Sequence, residues 1–327
     1  TPRRIRKESQ IHTLPTLLSM LKYLIVQLDD TSTSFCHYKN ENRNSNLIPL
    51  DALKDAIFWA MKENLTLQVL FPDYVIPEDY KEVISEIDHA KIVSAASKDM
   101  DAVREAEVVV FNSAKEMEGF ALKKGKSYIL RIPFAEFLKQ QKLPEDVLSK
   151  VDRLNIMFTD IPSFTSNEEE KYKEALAILA EQVFEQYKSG HPVQVNLLTD
   201  RILLEKMNNC NAGDESVTLA PDGKFYICPA FYCNEENTSV GDIKSGLDIK
   251  NPQLYKLDHA PICRKCDAWQ CKRCIWLNRK TTLEVNTPSR EQCVMAHLER
   301  NASRELLSKI RTIREFLPGK EIKEIDY

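Results

Sequence analysis

The sequence predicts an α/β protein: a mainly parallel sheet, open or rolled into a partial barrel, followed by a small cysteine-rich module. Short apolar runs alternate with amphipathic helical segments from position 21 to position 198, which is the pattern of repeated strand–helix–strand units. Those runs are apolar at consecutive positions, as in strands covered on both faces. Beyond them, eight of the nine cysteines fall between Cys210 and Cys293.

In order, residues 1 to 19 show no sustained periodicity and read as a tail, with Met20, directly before the first strand, as a candidate natural start. Leu21 to Leu28 is a strand. Asp51 caps a helix with Leu53, Ile57 and Met61 on one face. Leu65 to Phe71 is a strand stopped by Pro72, Pro77 to Ile87 a helix, Lys91 to Ser94 a strand, Asp99 to Ala106 a helix, and Glu107 to Phe111 a strand. Ser127 to Ile132 and Arg153 to Phe158 are strands, with a helix from Phe134 to Lys139 between them. Ser166 and Glu169 form a capping box for a helix to Lys188, whose stripe is Tyr172, Leu176, Leu179, Val183 and Tyr187, and Gly190 with Pro192 stops it. Val193 to Leu198 is the last strand of the series, and Ser303 to Phe316 a final helix. Strands separated by helices pair in parallel through right-handed crossovers. Val217 to Ala220 and Lys224 to Cys228 form a hairpin around Pro221-Asp222-Gly223 that returns Cys228 towards Cys210.

Charge and hydropathy exclude several classes. The chain has 327 residues, with 45 basic against 49 acidic side chains and a net charge of -4, so no general nucleic-acid grip is expected. Apolar runs such as Tyr23 to Val26 and Val108 to Phe111 are too short to span a bilayer, and the basic start lacks the apolar core of a signal peptide. A cytoplasmic protein with no membrane partner is expected. There is no GxGxxG, P-loop, HExxH or GxSxG, and only eight glycines exist to build such loops.

In a reducing compartment, clustered CxxC pairs favour metal over disulfides. Cys263, Cys266, Cys271 and Cys274 form C-x2-C-x4-C-x2-C, close enough in sequence to serve a compact iron–sulfur cluster. A zinc ribbon usually carries a longer loop between its pairs, although zinc stays open as the alternative.

The run C-x12-G-x4-C from Cys210 through Gly223 to Cys228, then the four-cysteine segment, then Cys293, resembles the SPASM domain of radical S-adenosylmethionine (SAM) peptide maturases. That resemblance implies a partial (β/α) barrel of the radical SAM type carrying a SPASM iron–sulfur domain with two [4Fe-4S] clusters. The ligands it implies are Cys210, Cys228 and Cys274 for the inner cluster, with Cys233 as candidate fourth, and Cys263, Cys266, Cys271 and Cys293 for the outer one. The family usually spaces its second group C-x2-C-x5-C-x3-C, so both later gaps are one residue shorter here. The implied division is a tail (1–19), a degenerate barrel (20–200), the SPASM domain (201–300), and a C-terminal helix and tail (301–327).

Where such enzymes carry CxxxCxxC after the first strand, this chain reads Asp29-Asp-Thr-Ser-Thr33-Ser-Phe35-Cys36-His-Tyr, with Cys36 alone. The glycine-rich stretch after the second strand is replaced by Leu70-Phe-Pro-Asp73. Oxygen ligands at Asp29 and Thr33 match iron–sulfur poorly. SAM is therefore not expected as a cofactor, and no catalytic residue is assigned. From Met20 onward the chain is similar to the CXXX-repeat peptide maturase proteins, carried by Leu-Lys-Tyr-Leu-Ile-Val-Gln-Leu-Asp-Asp-Thr-Ser at 21–32 and Cys-Ile-Trp-Leu-Asn-Arg-Lys-Thr-Thr-Leu-Glu-Val-Asn-Thr-Pro-Ser at 274–289. The partners this implies are a cysteine-repeat precursor peptide and a complete radical SAM maturase.

Plainer readings stand beside these. Cys36 is expected as a small buried apolar residue, His37 as a loop residue, and Asp29 and Asp30 as capping or solvated groups. Trp269 and Trp276 are expected to shield metal from water. Arg264, Lys265, Lys272 and Arg273 either offset cluster charge or form a wet surface. A redox or thiol-ligating maturation protein and a structural scaffold or binding module, perhaps holding zinc, are the competing functions. Independent catalysis by Asp29, Thr33 and Cys36 lacks a complete acid–base set.

Overall fold

The computed structural model describes residues 21–325 apart from 141, 142, 145, 208 and 272, so the tail, Met20 and Lys272 lie outside the described residues. The apolar runs form strands β1 (Tyr23–Gln27), β2 (Thr66–Leu70), β3 (His89–Ser94), β4 (Val108–Phe111), β5 (Ser127–Ile132), β6 (Arg153–Phe158) and β7 (Gln194–Val195). Each pairs in parallel with the next. The expected hairpin, β8 (Ser216–Leu219) and β9 (Phe225–Tyr226), extends the same sheet: β8 runs parallel to the free side of β1 and β9 antiparallel to β8. The strand order is therefore β7-β6-β5-β4-β3-β2-β1-β8-β9, an open α/β sheet consistent with a partial barrel.

The two faces of the sheet do different work. On the outer face Leu24, Val26, Leu67, Val69, Val109, Leu130 and Ile156 share one core with the helices. On the inner face a small patch of Ile25, Leu70, Ile92, Val110 and Ile129 is covered by Phe35. This is the burial on both faces that the apolar runs imply.

Several elements differ from expectation for identifiable reasons. Helix Leu50–Lys62 is capped at Pro49, with Asp51 in its first turn, and buries Ala56 and Ala60 where Met61 was expected; Met61 is 58% exposed. The capping box lies at Thr165 and Glu168, because Ser166–Glu168 form a 3-10 turn ahead of helix Glu169–Lys188. The strand expected over Val193 to Leu198 shortens to two residues. There the Asn196 side chain takes the place of a strand peptide, accepting from Ile156 N at 2.7 Å and donating to Ile156 O at 3.0 Å. Short helices at Ala114–Met117 and Val147–Lys150 gave no periodic signal.

The last helix runs Arg290–Ile313 from a Ser289–Gln292 capping box, well ahead of the expected Ser303, and continues unbroken through position 300. Its stripe of Val294, Leu298, Leu306 and Ile310 is interrupted in sequence by buried Glu299 and Arg300, which hid the periodicity. Glu299 accepts from Tyr172 Oη at 2.5 Å and from Arg201 Nη2 at 2.7 Å. Arg201 also donates to Leu197 O at 2.8 Å and Gln270 O at 3.0 Å.

The loop after β1 is tied down just as closely. Asp29, fully buried, accepts from Thr31 N at 2.8 Å, Thr31 Oγ1 at 2.6 Å, Ser45 Oγ at 2.8 Å and Tyr74 Oη at 2.9 Å. Burial alone would raise its pKa, but these hydrogen bonds outweigh it and hold the carboxyl below the usual range. Farther along, Arg131 on β5 donates to Cys36 O at 3.0 Å and to Tyr38 O, and His37 Nδ1 meets Phe158 O at 2.7 Å.

Two outcomes follow. Arg201→Met is expected to cost about 3–5 kcal/mol in urea unfolding, because it strands the Glu299 carboxylate; adding Glu299→Gln should recover part of that loss. Asp29→Asn is expected to cost about 1–3 kcal/mol near neutral pH. Since the folded pKa of Asp29 is depressed, its contribution is complete above the unfolded value of about 3.9 and disappears as pH falls through the folded value. The gap between variant and wild-type unfolding midpoints should therefore narrow in acid.

Candidate metal centres

The hairpin sets the first two thiols. Gly223 adopts φ 76° in the turn, where a side chain would be strained, and Asp222 accepts from Lys224 N at 3.1 Å and Tyr226 Oη at 2.8 Å. Cys228 follows β9 as the N-cap of helix Pro229–Asn234. Ser216 Oγ, at the start of β8, donates to Cys210 O at 2.9 Å and fixes Cys210 beside the same strand pair. Cys274 is the N-cap of helix Ile275–Thr282, held where Asn209 donates to Arg273 O at 2.7 Å.

These residues open on a cavity of about 250 Å³ between the inner face of the sheet and the module. Cys36, Cys210, Cys228, Cys271 and Cys274 line it, with Ile25, Ile129 and Trp276 among its apolar residues and Arg153, Asp200 and Glu299 among its charged ones. Burial pushes the Cys36 thiol up to about 11, with the Cys210 charge adding to it. Cys228 is driven well up by burial and then by Cys274, Cys36 and Cys210, and Cys274 by burial, Cys36 and Cys210. The four thiols thus lie within one another's fields.

Cys233 stands apart from that set. It is not among the residues lining the cavity, and its sulfur faces the Gln27 amide at 3.8 Å. Burial pushes it up to about 12, and the charges that reach it are those of Asp30 and Cys36.

A second, smaller cavity of about 30 Å³ gathers Cys263, Cys266, Cys271 and Cys293, with Met207 and His297 beside them. Burial brings both Cys271 and Cys293 to about 11; Cys263 and Cys266 reinforce the first, Cys271 and Cys266 the second. Cys263 opens a 3-10 turn, and Cys266 N donates back to Cys263 O at 3.1 Å.

Arg273 lines both cavities and is 5% exposed. It donates to Tyr255 O at 3.0 Å, while its Nε has no hydrogen-bond partner among the described residues. Arg264 and Lys265 are exposed and belong to the wet surface. Trp276 is buried in the wall of the first cavity, whereas Trp269 is 38% exposed and lines neither cavity.

Among the described residues, no three His, Cys, Asp or Glu side chains meet closely enough to grip a single ion. The thiols ring cavities instead. Five soft sulfur donors line the first cavity and four the second, Cys271 being shared; together with apolar wall residues and the buried guanidinium common to both, they suit an anionic iron–sulfur group, whose sulfides accept hydrogen bonds and whose charge a cation offsets. The same charge would reverse the upward thiol shifts, since a metal binds thiolate and releases the proton. What the cysteine spacing alone could not show is the presence of Cys36 in the first group and the position of Arg273 between the two.

At the strand ends a polar cavity of about 310 Å³ is lined by Thr33, Ser34, Arg43, Asp73, Asn112 and Arg131 among others. Asp29 is not among its lining residues; with both carboxylate oxygens already accepting, it anchors the adjoining loop.

No protein-family model and no curated protein matches the sequence. Solved structures do match in fold. Native anSMEcpe with bound AdoMet superposes with a TM-score of 0.58 at 12% identity, covering 89% of this chain and 100% of that one. Native anSMEcpe with AdoMet and the Cp18Cys peptide gives 0.59 at 12% identity over 90% and 100%. At this level of identity the likeness is one of fold: the chain shares the α/β architecture of these structures.

Proposed function

We propose that this protein is an iron–sulfur protein of the SPASM type that acts in the maturation of a cysteine-repeat ribosomal peptide. It works beside a complete radical SAM enzyme and does not itself cleave SAM. The observation that carries the reading is the pairing of two thiol-lined cavities with a strand-end loop that keeps only Cys36 where three thiols would be needed. The fold it shares with anSMEcpe, a protein crystallised with a peptide, supports a peptide as substrate.

In this reading Cys210, Cys228 and Cys274 hold the inner [4Fe-4S] cluster with a fourth thiol, and Cys263, Cys266, Cys271 and Cys293 hold the outer one. When bound, the clusters supply one-electron transfer, and an iron left open would take a substrate thiol. The protein's own groups do the rest. Ile25, Ile129 and Trp276 keep water from the inner site, and Arg273 offers a buried positive charge between the two sites. At the strand ends Asp29 is saturated by neighbouring hydroxyl and amide donors, so it serves to support the loop. A reducing, cytoplasmic setting suits nine free cysteines, and among the described residues no helix is long and apolar enough to cross a membrane.

Anaerobic reconstitution followed by iron and sulfide assay is expected to give roughly eight irons per chain. A colourless protein that binds zinc and takes up no sulfide would replace this reading with that of a structural scaffold. Incubation of the reconstituted protein with SAM and a reductant should yield no 5′-deoxyadenosine above background, and measurable turnover would refute the loss of SAM cleavage.

A further inference from the structure

We propose that Cys36 supplies the fourth thiolate of the inner site, joining Cys210, Cys228 and Cys274, and that Cys233 does not. This rests on the iron–sulfur reading above and sharpens it by closing the inner site to outside ligands.

Two observations converge. Cys36 lines the same cavity as Cys210, Cys228 and Cys274, and Cys233 does not, while Cys271, which also lines it, belongs to the smaller cavity as well. In addition, the backbone around Cys36 is held before any group is bound. Arg131 Nε donates to its carbonyl at 3.0 Å, His37 Nδ1 meets Phe158 O at 2.7 Å, and Phe35 packs on the inner apolar patch and edge-on against Tyr38. A donor fixed in this way loses little further freedom on ligation.

The step is simple ligation. The Cys36 thiol gives its proton to solvent, its sulfur forms one bond to iron, and no electron changes hands. With four protein thiolates the inner site has no open iron, so it transfers electrons or supports the fold and cannot capture a thiol of the peptide. The one cysteine left in the loop after β1 is then committed to the module's site.

The test compares anaerobically reconstituted full-length wild type, Cys36→Ala, Cys36→Ser and Cys233→Ala by iron and sulfide content, Mössbauer spectroscopy and electron paramagnetic resonance. Wild type and Cys233→Ala are expected to hold roughly eight irons per chain, and Cys36→Ala about one fewer, with the signal of a three-iron cluster after mild oxidation. Cys36→Ser keeps the shape and an oxygen ligand, so it should fold normally and show a changed inner-site spectrum beside an unchanged outer-site one. Full iron content with wild-type spectra in both Cys36 variants would overturn the assignment while leaving the two-cluster reading intact. A three-iron signal in Cys233→Ala alone would overturn it in favour of Cys233. A wild type that takes up no iron and sulfide would remove the iron–sulfur reading and this assignment together.

Discussion

The carboxylate of Glu299 is the constraint on which the arrangement of this molecule turns. Buried at 1% exposure, it would be strongly unfavourable alone, since a lone charge in an apolar interior loses its hydration. It is instead met by Tyr172 from helix Glu169–Lys188 and by Arg201 from the short helix Asp200–Leu203 after β7, and Arg201 reaches on to Gln270 in the cysteine loop. Gln270 precedes Cys271, and Glu299 shares its helix with Cys293. One charge cluster therefore holds the outer thiols against the barrel, and because both oxygens and the guanidinium must be met together, it allows little variation in how the module sits.

The sheet gives the second constraint. Its outer face is occupied by helices, leaving the inner face to the module. By pairing in parallel with the free side of β1, β8 brings Cys210 and Cys228 to the cavity that Cys36 also lines. The inner cavity is thus built from both halves of the chain, and the barrel and the cysteine module form a continuous structure at this edge. Arg273, buried between the two cavities, is the cation that would compensate two anionic groups held near each other.

At the strand ends polar side chains anchor the loop after β1. Asp29 caps its own loop through Thr31 and reaches Ser45 and Tyr74, while Arg131 holds the same loop from the far side by its backbone carbonyls. Oxygen donors at these positions bind one another, and their hydrogen bonds hold the loop in shape.

Much of this was legible in the sequence. Strands β1 to β6, the Gly223 hairpin and the Tyr172 stripe rest on local periodicity and turn chemistry, which act over a few residues and leave a readable pattern; cysteine spacing alone grouped Cys263, Cys266 and Cys271 with Cys274, and it was the family resemblance that put Cys293 in its place. The tertiary structure decided what local pattern cannot encode. It joined β8 to β1, drew Cys36 to thiols far along the chain, set Cys233 against Gln27, and filled a gap in the last helix's stripe with Glu299. Each of these depends on which distant groups share a buried volume, and burial is settled only when the whole chain has folded around it.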